Sequence, residues 1–328
     1  MKKILTISIL LLLNIASGCT NKAAIKPPKK ENVLLAVDFQ EDKTLRYEFT
    51  CERETSVDFN PSESAKENNK SAAIKSSEKL DITMAYTPIS IDPYGLTTIK
   101  AVCERAKVTR NENAQADPAE YFQGKTFTFT VDPRGKIHDY SQLEQLIKQA
   151  GGKAFTTEPG VGRLKLPDMI GDFVATQWFL WDSISSIKNP SQGVHAGQNW
   201  TSQLSVPTPM VSRLARNVTY KLDEIRPTDN GRIAVINCDY SESDSVPQAW
   251  PVPYTGRFRM SGTFGLLSYY KLLDLTGKGR ELFNIDLGQI EEYTQRYDVK
   301  IQASVQMGIS IKPLINIRQT ISMKQINQ

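Results

Sequence analysis

The sequence predicts a mainly β (α+β) fold in which antiparallel strands supply the core and two helices lie at the centre of the chain. Three observations lead there. Apolar and polar residues alternate at period two in Leu45-Arg46-Tyr47-Glu48-Phe49-Thr50-Cys51 and in Thr126-Phe127-Thr128-Phe129-Thr130-Val131, the pattern of half-buried strands. Pro133-Arg134-Gly135 and Asp229-Asn230-Gly231 stand between strand-like runs, where glycine supplies a positive φ at little cost. The middle of the chain switches to helical spacing, with apolar residues recurring three and four apart from Met169 onward.

Taken in order, the first element is a leader. Lys2 and Lys3 precede the apolar run Ile4 to Ile15, and Ala16-Ser17-Gly18 lead into Cys19, the layout of a bacterial lipoprotein signal. The run is about half of the roughly 20 residues required to cross a bilayer as a helix, so cleavage is expected over a retained anchor. Cys19 then becomes the acylated first residue. Three acyl chains, each methylene worth about 0.8 kcal/mol when buried, make such an attachment effectively permanent. Thr20, where an inner-membrane retention signal carries Asp, favours the outer membrane facing the periplasm.

The expected organisation is residues 1–18 as signal peptide, 19–32 as acylated cysteine and flexible tether, 33–155 as a first β half with a short helix, and 156–328 as an apolar helix and second β half. Lys22, Lys26, Pro27, Pro28, Lys29 and Lys30 give the tether its solvated, unpacked composition. Pro61 to Lys79, rich in Ser, Glu, Asn and Lys, reads as a low-complexity insertion between two strands.

Ser141-Gln142-Leu143-Glu144 reads as a capping box for a helix with Leu143, Leu146 and Ile147 on one face and Gly151-Gly152 at its end. A second helix is expected from Asp168 to about Ile187. Two echoes raise an internal duplication: Ile89 to Gly95 to Ile99 matches Ile225 to Gly231 to Val235, and Phe129-Thr130-Val131-Asp132 matches Phe283-Asn284-Ile285-Asp286.

Charge and motifs narrow the function classes. The chain carries 40 basic and 36 acidic residues, and loss of Lys2 and Lys3 lowers the formal net charge from +4 to +2, too balanced for a nucleic-acid binder. Once Cys19 is acylated, Cys51, Cys103 and Cys238 remain, so one disulfide at most forms. Cys51 and Cys103 share strand faces with apolar neighbours and are the pair a bridge would join; three inert buried thiols is the other expectation. Without a CxxC pair, and with His138 and His195 isolated, no metal or redox site is expected. Gly160-Val161-Gly162 and Gly277-Lys278-Gly279 fall short of a phosphate loop and read as turns, and no GxSxG elbow occurs. Neither a cofactor nor a catalytic residue is expected.

From Val33 to Ile326 the chain resembles a domain-of-unknown-function family of bacterial envelope lipoproteins. The likeness is carried by Leu45-Arg46-Tyr47-Glu48-Phe49, Gly124 to Phe129, Val131 to Ile137 and Val194 to Trp200. Gln198 and Asn199 depart from that family's usual Asp and Ser. The resemblance implies a curved antiparallel sheet or half-open barrel, similar to the lipoprotein carriers LolA and LppX, and supplies no catalytic residues.

The resulting expectation is a non-enzymatic, membrane-anchored binding module. Phe173, Trp178 and Trp181 form the candidate ligand site: a large apolar stripe over a concave sheet acts either as a lid on a lipid-sized cavity or as plain core. The ligand would be a lipid or other apolar small molecule. An envelope protein partner, bound through an edge strand or the second-half loops, is the alternative.

Overall fold

The computed structural model describes residues 31–59, 61, 73–114, 117–151, 165–204, 215–244, 267–305 and 311–326. The leader, Cys19, most of the tether, residues 62–72 of the low-complexity stretch and the loop at 152–164 lie outside the described residues.

The strands are β1 (Asn32–Val33), β2 (Leu45–Asp58), β3 (Ile74–Ile91), β4 (Thr97–Arg110), β5 (Asn113–Ala114) and β6 (Thr126–Val131). Helices α1 (Ser141–Gly151), α2 (Lys165–Phe179) and α3 (Asp182–Ser185) follow. The chain then returns through β7 (Val194–His195), β8 (Asn199–Thr201), β9 (Arg216–Thr228), β10 (Gly231–Glu242), β11 (Leu267–Asn284), β12 (Gln289–Val305) and β13 (Leu314–Ile326). Eleven of these strands form one open antiparallel sheet in the order β5-β4-β3-β2-β13-β12-β11-β10-β9-β8, with β6 beside β5 on the free side of β4. The mainly β, antiparallel, unclosed architecture expected from the sequence is what the chain adopts.

Two hairpin meanders build it, and their outermost members in sequence meet at its centre. β13 pairs with β2 along its whole length, from Leu314 opposite Asp58 to Ile326 opposite Arg46. Along each strand the alternation holds: Leu45, Tyr47, Phe49 and Cys51 are buried while Glu48 and Glu52 are exposed. Opposite charges meet on the outer face, as in Arg318 with Asp298 at 3.1 Å and Arg46 with Glu104 at 3.0 Å. That charged exterior is the reverse of the apolar outer band of a membrane-spanning barrel.

The helices cover the inner face, and their residues touch strands of both wings, so the sheet curves around them. Asp172 of α2 meets Arg53 on β2 and Gln319 on β13, while Asp182 of α3 meets Tyr220 on β9. An extended strap, residues 31–42, crosses one end of the sheet with Val33, Leu35, Val37 and Phe39 buried. Its backbone donates from Val37 to Pro133 O at 2.9 Å and from Asp38 to Gly288 O at 3.1 Å.

Several expectations are corrected. Asn32 belongs to β1, opposite His195, and Glu31 pairs with Arg232, so ordered structure begins before residue 33. β3 starts at Ile74, inside the stretch read as low complexity, because Glu78 turns inward to two arginines and Lys79 pairs with Asp81 on the outer face. The Ser141 capping box gives way to Asp139, whose carboxylate accepts from Ser141 N at 3.0 Å and which titrates below its ordinary value for that reason. Gly277 and Gly279 lie within β11, not in a turn; a Cβ at Gly279 would sit 2.8 Å from the Tyr240 hydroxyl, so the bare backbone makes room for that ring. The echoed segments agree in element order, β4 with β6 and β10 with β11, but differ by one residue in register: Ile99 faces Phe129, whereas Ala234 faces Phe283.

Candidate functional site

Helix α2 delivers Phe173 and Trp178 to the inner face, Trp181 follows in the break before α3, and each of the three meets protein. Phe173 is 0 % exposed and stacks on Phe122 with ring centroids 4.1 Å apart. Trp178, 8 % exposed, meets Tyr140 edge-on at 5.2 Å, and Trp181, 2 % exposed, meets Phe39 at 5.6 Å. The expected single helix to Ile187 breaks after Phe179 and resumes at Asp182. Asp182 explains the break: its carboxylate accepts from Ser202 Oγ at 2.8 Å, Tyr220 OH at 2.6 Å and Arg216 at 3.1 Å, partners that a straight helix would leave behind.

Two buried polar networks hold this segment down. In the first, Arg53 donates to Glu78 at 3.2 Å and to Asp172 at 2.6 Å, and Arg110 bonds both Glu78 and Asp117. Gln319 donates to the other Asp172 oxygen at 2.9 Å, and Tyr86 OH donates to Gln177 at 2.5 Å. Burial pushes the Asp172 and Asp117 carboxyls above their ordinary values even with the arginines pulling the other way. In the second, Arg216 lies 4.1 Å over the Phe179 ring and donates to Tyr297 OH at 2.7 Å. Glu281, buried against Cys238 on the same floor, is pushed up to about 8 by desolvation, so its carboxyl is neutral at pH 7.

The sequence reading missed Arg53, Glu78, Arg110, Asp172, Asp182, Arg216 and Glu281. A signal was there. Arg53 continues the inward phase of Leu45, Tyr47, Phe49 and Cys51, and Arg110 continues that of Val108. A charge in the buried phase of a strand needs a partner across the core.

The Cys51 to Cys103 bridge is absent: both are free, as is Cys238. Cys51 stands opposite Leu80 and Cys103 opposite Met84, so β3 lies between them. Two strand spacings of about 4.8 Å already exceed the roughly 7 Å that a disulfide allows. Burial pushes the Cys103 thiol up to about 12 and raises the other two, which keeps all three protonated. His138 lies 3.1 Å from Asp132 on an exposed turn, while the His195 ring meets the neighbouring Ala196 carbonyl at 3.1 Å. His138 follows the turn after β6, whereas His195 ends β7 opposite Asn32, so the two rings stand on different elements. A groove of about 330 Å³ runs beside β8, lined by Ser186, Lys188, Asn189, Gln198, Trp200 and Thr219 among others.

No family model matches the chain, and no curated protein does. Among solved structures, it is similar to a chain of lipovitellin, from a study of lipid-protein interactions, at 9 % identity and a TM-score of 0.46, over 88 % of this chain and 26 % of that one. The chain therefore spans about a quarter of the lipovitellin chain. An engineered protein studied for asymmetric conductivity matches at 7 % identity and a TM-score of 0.20, over 87 % of this chain and 100 % of that one. A triple mutant of the Rh. blastica porin matches at 8 % identity and a TM-score of 0.19, again over 87 % and 100 %.

Proposed function

We propose that this chain is a lipid-anchored protein of the bacterial cell envelope, held through Cys19, whose sheet is a non-catalytic binding module for a lipid or other apolar molecule. The observation that carries the reading is the inner face. Buried aromatic side chains line it on both wings, among them Phe127, Phe129, Tyr86, Tyr47, Phe49, Tyr293 and Phe283, and α2 covers them with Phe173 and Trp178. Polar contacts at Asp172 and Gln177 hold α2 there. An apolar ligand competes with α2 for the same surface, and displaced Phe173, Trp178 and Trp181 side chains then cover the ligand. Titrating the full mature chain with a fluorescent long-chain phospholipid tests this. Saturable binding near one per chain, with a change in tryptophan emission, is expected; absence of saturable binding overturns it.

The groove beside β8 supports a second reading, an envelope protein that adds a strand there. β8 is the last strand on its side of the sheet, and Lys188 supplies a cation to the groove. Substituting Thr201→Pro on this edge would abolish such a partner's capture while leaving phospholipid binding intact.

A further inference from the structure

We infer that the end of the sheet crossed by the strap rests on the bilayer surface, with Tyr94 and Leu287 set among the lipid headgroups; this rests on the anchor reading above. Eight large hydrophobic residues are exposed among the described residues, and five gather at this end: Leu34, Ile89, Ile91, Tyr94 and Leu287. Tyr94 is 90 % exposed and Leu34 58 %.

These positions share one continuous floor. The β3–β4 turn packs on the β6 turn, where Gly95 approaches Pro133, and Pro133 O accepts from Val37 of the strap. The next strap residue, Asp38, donates to Gly288 beside Leu287, and Asp42 donates to Pro88 O beside Ile89 at 2.9 Å. Strap and turns therefore move together.

The tether leaves from the same floor, since Glu31 pairs with Arg232 at the start of β10. From Cys19 to Glu31 the chain reaches at most about 40 Å, so acyl chains in the membrane keep this end nearby. Acidic Glu41, Asp42 and Asp92 alternate there with Lys43, Arg134 and Lys136, so attraction to anionic lipid is not the drive. Apolar and aromatic contact is: a tyrosine with an apolar ring and polar hydroxyl suits the headgroup layer. Among the other exposed hydrophobic residues, Ile74 opens β3 at the far end, about 55 Å from Ile91, and Leu273 lies in the far half of β11.

The test uses the acylated full mature chain in phosphatidylethanolamine and phosphatidylglycerol vesicles containing nitroxide lipid. Dyes are attached one at a time at Tyr94→Cys, Leu287→Cys, Ile74→Cys and Leu273→Cys. Quenching at 94 and 287 at least about threefold stronger than at 74 and 273 is expected from headgroup contact. Equal quenching at all four, or stronger quenching at 74 and 273, in a sample whose intact mass shows the acyl groups, overturns this inference alone. A sample whose mass shows no acyl groups overturns it together with the anchor reading.

Discussion

A buried carboxyl with a raised pKa makes Glu281 a source of pH dependence. Its ordinary value is 4.5 and its folded value about 8, so the folded state holds the proton more tightly. The associated stability is fully present below about 4.5 and is lost as pH rises through 8. Glu281→Gln is expected to be more stable than the parent by about 2–4 kcal/mol at pH 9, with the gap closing below pH 5, as read by urea unfolding. Asp182 matters through its partners, as the shared acceptor of Arg216, Tyr220 and Ser202. Asp182→Ala leaves the Arg216 guanidinium buried beside Tyr297 with its carboxylate gone, and a loss of about 3–5 kcal/mol is expected. The thiols are the third test. Buried and protonated, Cys51, Cys103 and Cys238 should resist iodoacetamide at pH 7.4 in the native chain and react completely in denaturant.

Single elements show why some of this structure was legible in the sequence and some was not. β2 and β6 declare themselves because one face meets the core and the other water, which writes a period of two into the residues. α2 declares its apolar face but hides its end, since the break before Asp182 is set by Tyr220 and Arg216 more than thirty residues away. The same holds for the start of β3, where Glu78 looked solvated until Arg53 and Arg110 were placed around it. The site residues Phe173, Trp178 and Trp181 were found together for the reason that makes them ambiguous: an apolar stripe suits both a lid and a core. At the strap, Gly288 has φ +60° and a Cβ there would lie 2.5 Å from that of Asp38. Gly288→Ala is therefore expected to cost at least about 2 kcal/mol and to speed amide exchange at residues 37–39 of the strap.

On the scale of the molecule, the pairing of β13 with β2 joins residues nearly the full chain length apart, and no local pattern announced it. Hairpins can form early, but the sheet is whole only when its last strand docks at the centre, so folding should be slow for its size. A chain ending before Leu314 would expose facing edges on β2 and β12 and should aggregate instead of folding as a smaller sheet. The binding role proposed above rests on the aromatic side chains of the sheet's inner face, and its place at a membrane on the Cys19 leader. Mass spectrometry of the mature chain, taken first denatured and then under native conditions after detergent-free purification, tests that role most directly. The expected result is a mass with Cys19 acylated and a native species heavier by one apolar molecule. A chain that retains residues 1–18 or carries no acyl group, or an acylated chain with no bound molecule that also fails to take up added phospholipid, would contradict it.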